Sequence, residues 1–171
     1  MKKILGLVML SVVFISGCGE SEEEKRFRAE LIDKALNDEN RKAGEAFLAQ
    51  NKTREGVQVL PSGVQYEVLQ AGTGSSPRIL DTVVVNYEGK RVDGFVFDSS
   101  YAREKPSEFP LKSVIRGWKE TLPKMKEGAV WNIYVPADMA YGATSPDTSI
   151  PANSALIFKI ELLEIKATTE E

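Results

Sequence analysis

From Val64 onward apolar and polar positions alternate, the period of a strand that is buried on one face only. Val64-Gln65-Tyr66-Glu67-Val68-Leu69 is the first such run, and Asp81 to Glu88 the second, with Val83, Val85 and Tyr87 on one face. After a turn across Gly89 to Gly94, Phe95-Val96-Phe97-Asp98 resumes. Trp131, Ile133 and Val135 alternate with Asn132 and Tyr134. Leu156, Phe158, Ile160 and Leu162 share the core face of a last strand, opposite Lys159 and Glu161. Only Ser113 to Leu122 departs from this period. Ser113 is a candidate N-cap, Trp118 and Leu122 stand four apart on one helical face, and Pro123 supplies a stop. Short antiparallel strands around one helix predict an α+β fold, a twisted antiparallel sheet wrapped on a short α-helix.

Ahead of the sheet the period changes. Lys25 to Lys52 predicts a helical arm, with Phe27, Leu31 and Ala35 on one face and Ala43, Ala46, Phe47 and Gln50 further on. Asn37 to Asn40 marks a break, Asp38 or Asn40 capping a second helix. The arm is either a spacer, packed on the main domain or solvated, or a homodimerisation arm whose stripe needs a partner. Earlier still, Met1-Lys2-Lys3 precedes an apolar run from Ile4 to Ile15. About 12 residues fall short of the roughly 20 that span a bilayer. The run closes on small residues just before Cys18, which resembles a bacterial lipoprotein signal; an incidental Cys after an ordinary secretory leader is the weaker reading. The expected division is a signal peptide at 1–17, tether and arm at 18–55, and the sheet domain at 56–171. A lipid anchor at Cys18 implies the bacterial cell envelope, facing the periplasm from the outer membrane, since Gly19 stands where Asp would signal inner-membrane retention.

Composition narrows the chemistry. The 171 residues contain no His, which removes Ser-His-Asp and Cys-His catalysis and His-based zinc sites. A single Cys removes internal disulfides and Cys-cluster metals. A net charge of −3 without a basic run argues against a nucleic-acid partner. Carboxylates, phenols, hydroxyls, backbone groups and apolar surface remain. The aromatics Tyr87, Phe97, Trp118 and Phe158 recur on the inner face, as core or as the lining of a cavity.

Taken in order, Val85-Asn86-Tyr87-Glu88-Gly89, Phe97-Asp98-Ser99-Ser100, Phe109-Pro110-Leu111, Val114-Ile115-Arg116-Gly117-Trp118, Tyr141-Gly142-Ala143, Ile150-Pro151 and Leu156-Ile157-Phe158 resemble the FK506-binding-protein (FKBP) type peptidyl-prolyl cis-trans isomerases. The arm ending Phe47 to Lys52, with Leu60-Pro61-Ser62-Gly63, is similar to the bacterial macrophage-infectivity-potentiator branch. The resemblance spans about Gly56 to Lys166. It implies that Trp118 floors a proline pocket walled by Tyr87, Phe97, Phe109, Val114, Ile115 and Phe158. It further implies that Ile115 offers its backbone N–H, that Tyr141 donates its phenol to a substrate carbonyl, and that Asp98 sits at the edge with Arg103. Ile150 would lie in the covering loop. Proline-containing folding proteins are the implied substrates, macrolides of the FK506 and rapamycin type the implied inhibitors, and no cofactor is implied.

Each role has a structural alternative: Trp118 as plain core, Tyr141 closing a turn, Asp98 forming an Asx turn, Tyr87 bonding Asp98 from within the wall, Arg103 as a surface charge. The chain departs from the family at Ser107, where a bulky aromatic is usual, leaving Phe109 to fill that side. It also has a polar covering loop, Thr144 to Pro151. The segment between Leu111 and Val114 is also short, and these departures bear on sequence preference and on macrolide affinity more than on turnover. A non-catalytic module or chaperone that holds proline turns is the alternative function.

Overall fold

The computed structural model describes residues 21–36 and 39–168. The leader, Cys18 and the Asn37-Asp38 break lie outside them. By contacts the chain divides into two compact units, Met1–Asp33 and Lys34–Glu171.

Helix α1 (Glu22–Leu36) starts three residues earlier than the apolar stripe alone predicts. The cause is a capping box. The Ser21 hydroxyl accepts the Glu24 N–H at 3.1 Å, and the Glu24 carboxylate accepts the Ser21 N–H at 2.8 Å. The Ser21 N–H, joined by the Ser21 hydroxyl donating to the same carboxylate oxygen at 3.1 Å, holds the Glu24 carboxyl below its ordinary range. Phe27 and Leu31 are exposed.

The second unit is a sheet with a helix on each side. Its strands are β1 (Val57–Val59), β2 (Gln65–Gln70), β3 (Thr82–Arg91), β4 (Val96–Ser99), β5 (Ser107–Pro110), β6 (Val130–Val135) and β7 (Leu156–Lys166). Their order is β1-β2-β6-β7-β3-β4, all antiparallel, with β5 pairing the first half of β3 while β4 pairs its second half. The α+β expectation holds. β1 and β5 are not marked by alternation: β1 is three residues on an edge, and β5 carries one apolar ring beside a proline. β3 runs on to Arg91, so the hairpin turn is shorter than Gly89 to Gly94, with Gly94 at φ +89°.

The inner face holds the core. Val83, Val85, Ile133, Val135, Leu156, Ile160 and Leu162 are buried there against Trp118, Leu122, Leu111 and Met125. Helix α3 (Arg116–Thr121) is shorter than the ten-residue stretch suggests, and Ser113 is not its cap. Ile115 occupies the N-cap without a side-chain bond, and Ser113 ends a 3-10 turn, Leu111–Ser113. Pro123 does not stop the chain at once; it enters a 3-10 turn, Leu122–Lys124, where its missing N–H is not needed. Gly117 lets α3 lie on the sheet, because a Cβ there would come within 2.6 Å of Val135.

Helix α2 (Glu39–Asn51) covers the outer face, through residues other than the expected Ala43, Ala46 and Gln50, which are exposed. It docks through Gly44, whose absent Cβ would meet that of Ala155 at 2.8 Å, through Phe47 against Tyr134 at 6.0 Å between rings, and through Leu48 and Asn51.

Candidate active site

The first turn of α3 sets Trp118 at the base of an open cavity of about 280 Å³. Three rings meet the indole edge-on, Tyr87 and Phe109 at 5.6 Å and Phe158 at 5.2 Å, and Phe97 meets Phe158 at 5.8 Å. Such edge-to-face contacts oppose ring regions of opposite partial charge. Gly89 makes the arrangement possible: a Cβ there would lie 2.6 Å from Phe97 and 3.0 Å from Phe158. Trp118 is 4% exposed, and its indole N–H has no partner among the described residues. A buried donor left open costs roughly 1–3 kcal/mol.

One polar cluster stands at the rim. Tyr87 donates its hydroxyl to one Asp98 oxygen, and Arg103 donates to the other. Arg103 also donates to the Tyr87 oxygen at 3.3 Å and to Ser107 Oγ at 3.2 Å. Burial, then the Asp98 carboxylate, pushes the Tyr87 phenol above its ordinary value. The turn after Asp98 is made by Ser99 Oγ, which accepts the Ala102 N–H at 3.3 Å, so an Asx turn is not what occupies Asp98. Buried Ser100 locks this corner to β3, its hydroxyl accepting the Tyr87 N–H at 2.8 Å and its N–H donating to the Tyr87 carbonyl at 2.9 Å.

Two donors are unspent. Tyr141 is 41% exposed, and its hydroxyl bonds to no described residue. Burial, with the Asp147 and Asp98 carboxylates, raises its pKa, so the phenol stays protonated at neutral pH. Ile115 accepts the Trp118 and Lys119 N–H groups at 3.1 Å, while its own N–H donates to nothing among the described residues. Among those residues no His, Cys, Asp or Glu cluster could hold a metal ion.

The site's composition invites comparison with known proteins. A family model described as FKBP-type peptidyl-prolyl cis-trans isomerase matches residues 74–163, and one described as the domain amino-terminal to it matches residues 16–68. The chain belongs to the FKBP-type isomerase family. It is 54% identical over 127 residues to the peptidyl-prolyl cis-trans isomerase Mip of Coxiella burnetii, covering 74% of this chain and 55% of that protein. It is 48% identical over 138 residues to the outer membrane protein MIP of Legionella longbeachae, covering 81% and 58%. The chain thus spans a little over half the length of these curated relatives. The crystal structure of FkpA from Escherichia coli superposes with a TM-score of 0.75 at 34% identity, covering 87% of this chain and 75% of that one.

Within this FKBP-type fold, Tyr87, Phe97, Asp98, Phe109, Val114, Ile115, Trp118, Tyr141 and Phe158 all line the cavity. Arg103 and Ile150, expected among the substrate-binding residues, do not line it. Arg103 stands behind Asp98, and Ile150 is buried in the core, where it fastens the covering loop. Phe109 takes the side that Ser107 leaves open. Arg116 is exposed, as expected. Ser113 also lines the cavity and was not anticipated, because a small polar residue before the helix signals a cap first. The polar covering loop bonds to itself: Ser145 Oγ donates to the Ile150 carbonyl at 2.8 Å, and Asp147 accepts the Ser149 N–H at 2.7 Å.

Proposed function

We propose that the chain is a peptidyl-prolyl cis-trans isomerase acting on proline-containing segments of folding envelope proteins. The observation that carries this reading is the pairing of an aromatic-lined hollow with two unspent donors, Tyr141 and the Ile115 N–H, at its mouth. A planar X–Pro amide is more charge-separated than a twisted one, so an apolar hollow disfavours the planar state relative to the rotated one. Amide resonance makes the uncatalysed step take tens to hundreds of seconds. In this reading Trp118, with Tyr87, Phe97, Phe109, Val114 and Phe158, holds the proline ring. Ile115 and Tyr141 hydrogen-bond carbonyls whose bonds improve in the twisted geometry, the only kind that raises the rate. Asp98 keeps Tyr87 and Arg103 in place and sets the local field. No covalent step is required.

A proline-limited refolding assay tests this. The full chain should accelerate the slow phase, Trp118→Ala should abolish most of the gain, and Tyr141→Phe should reduce it about tenfold, or ~1.4 kcal/mol. A wild-type chain that binds proline peptides but leaves the slow phase unchanged would be the non-catalytic binding module instead. The same cavity is the proposed site for macrolides, which should inhibit competitively.

We further propose the division into a signal peptide at 1–17, tether and arm at 18–55 and isomerase domain at 56–171, with lipid on Cys18. We place the chain on the outer membrane, facing the periplasm; the name of the Legionella relative, an outer membrane protein, supports the envelope part of this location. Cys18→Ala should release the protein from membranes. Exposed Phe27 and Leu31 support homodimerisation through α1, and Phe27→Asp should then yield a monomer by sedimentation.

A further inference from the structure

Tyr141 stands on a long loop that leaves the sheet after β6 and returns only at β7. Closing such a loop costs entropy that grows with its length, so something must hold the phenol at the cavity. The side chain that ties the two ends together comes from α2, on the far side of that loop. Arg41 Nη2 donates to Asp138 Oδ1 at 3.0 Å and to Asn153 Oδ1 at 2.8 Å, and Nη1 to Asp138 Oδ2 at 3.4 Å. Asp138 lies three residues before Tyr141, in the 3-10 turn Ala137–Met139. Asn153 is buried at φ +58°, and its N–H donates at 2.7 Å to the carbonyl of Gly142, the residue after Tyr141. The Gly142 N–H in turn donates to the Ala137 carbonyl at 2.8 Å. One guanidinium therefore reaches the tyrosine from both directions along the chain. Asn40 Nδ2 adds a bond to the Ala152 carbonyl at 3.3 Å, and the contact at Gly44 with Ala155 seats the helix beside it.

We propose that Arg41 is a positioning residue for the Tyr141 hydroxyl, pinning both ends of the covering loop through Asp138 and Asn153; the proposal rests on the isomerase reading above. A planar fork reaches two acceptors at once, which a lysine's single ammonium does not reproduce. Helix α2 is then part of the catalytic apparatus as well as a connector.

The test is a double-mutant cycle on kcat/KM for a proline tetrapeptide, using the full chain. Arg41→Ala should lower kcat/KM five- to tenfold, Arg41→Lys should recover part of that, and Lys42→Ala, exposed on the same helix, should change nothing. In a Tyr141→Phe background Arg41→Ala should cost less than twofold, because the hydroxyl it positions is gone. Equal losses in both backgrounds, no loss in either, or a Tyr141→Phe enzyme as active as wild type overturns the proposal. Should Arg41→Ala fail to fold, Asp138→Asn takes its place in the cycle. A second readout is independent of turnover: the 13Cζ resonance of Tyr141, identified by its disappearance in Tyr141→Phe. Its shift and titration should move in Arg41→Ala. A wild-type chain without activity would sink the isomerase reading; an unmoved Tyr141 resonance would sink the positioning role.

Discussion

Gly89 lies where β3 passes under Phe97 and Phe158, and an added Cβ would come within 2.6 Å of the first ring. The backbone there is paired to Asp98 on one side and Phe158 on the other, so it has no freedom to withdraw. The rings would have to move, and the direction open to Phe97 is the cavity. Gly89→Ala should therefore cost about 1–3 kcal/mol of stability, as overpacking does, and lower activity several-fold, read from urea midpoints and kcat/KM together. Loss of stability with unchanged kcat/KM would mean that the rings yield elsewhere. The polar residues make a different prediction. Tyr87 and Tyr141 are both raised above the ordinary phenol range, and the chain has no His, so the two phenols remain protonated through neutrality. The pH–rate profile should be flat within twofold from about pH 6 to 9, and fall only where a phenol above its usual value of roughly 10 ionises. A bell centred near neutrality would require a proton-transfer group that this site does not contain.

At the level of the element, α2 is held by polar bonds as much as by apolar ones. Buried Asn51 donates to Gln65 at 2.8 Å, Gln65 donates to the Leu48 carbonyl at 2.8 Å, and Arg54 donates to Asn51 at 2.9 Å and to the Tyr134 oxygen at 2.9 Å. Glu67 closes the network, accepting from Tyr134 at 3.0 Å, Asn132 at 3.3 Å and Arg54 at 3.2 Å. This explains why an apolar stripe misjudges the docking face. A helix that packs through glycine and an amide leaves a weak hydrophobic signature, while Tyr134, opposite Ile133 and Val135 on its strand, is buried beneath Phe47 of the helix and Arg54 just beyond it. Burial raises the Glu67 pKa, but its bonds from Tyr134 and Asn132, with Arg54, outweigh that and hold it below its ordinary value of 4.5. A depressed carboxyl stabilises the fold fully above its unfolded pKa and loses that contribution as pH falls through the folded one. Compared with Glu67→Gln, the wild type should be more stable by about 1.5–3 kcal/mol at pH 7, the range for bonds to a charged group. The gap should close as pH drops below about 4.5. Urea denaturation of both proteins between pH 7 and pH 3 checks the sign, and a gap that widens in acid would refute the network's role.

Across the whole molecule, what was legible in the sequence was whatever imposes a period. β2, β3, β6 and β7 are each buried on one face, and their alternation identifies them; β7 and β3 pair over their full length and carry four of the cavity residues between them and β4. Tyr87, Phe97 and Phe158 stood out because large aromatics on the inner face of a sheet are few, and Trp118 because it sits on the one short helix packed against that face. Gly89 and Ser113 did not, since a missing or small side chain leaves no periodic trace, and Ile150's seat in the core depends on a loop whose fold is set by its own serines. The least legible feature was where the working unit begins. Contacts group α2 with the sheet from Lys34 onward, and Phe47, Leu48, Asn51 and Arg41 supply packing, buried amide bonds and the loop tie together. A chain beginning at Glu39 should fold with a Tm within a few degrees of the full chain. One beginning at Lys52 exposes Tyr134 and Ala155 and strands Gln65 without its acceptor. Losing two partly buried apolar side chains at about 1.5–3 kcal/mol each, plus the unpaired Gln65 amide at about 1–3 kcal/mol, should lower Tm by about 8 °C or more, at roughly 2–8 °C per kcal/mol. Its kcat/KM should fall further than instability alone explains, because Tyr141 also loses its tether. Calorimetry and tetrapeptide kinetics on the two chains, at a temperature where both are folded, separate the effects. If the shorter chain matches the longer in Tm and in rate, α2 is a connector and nothing more.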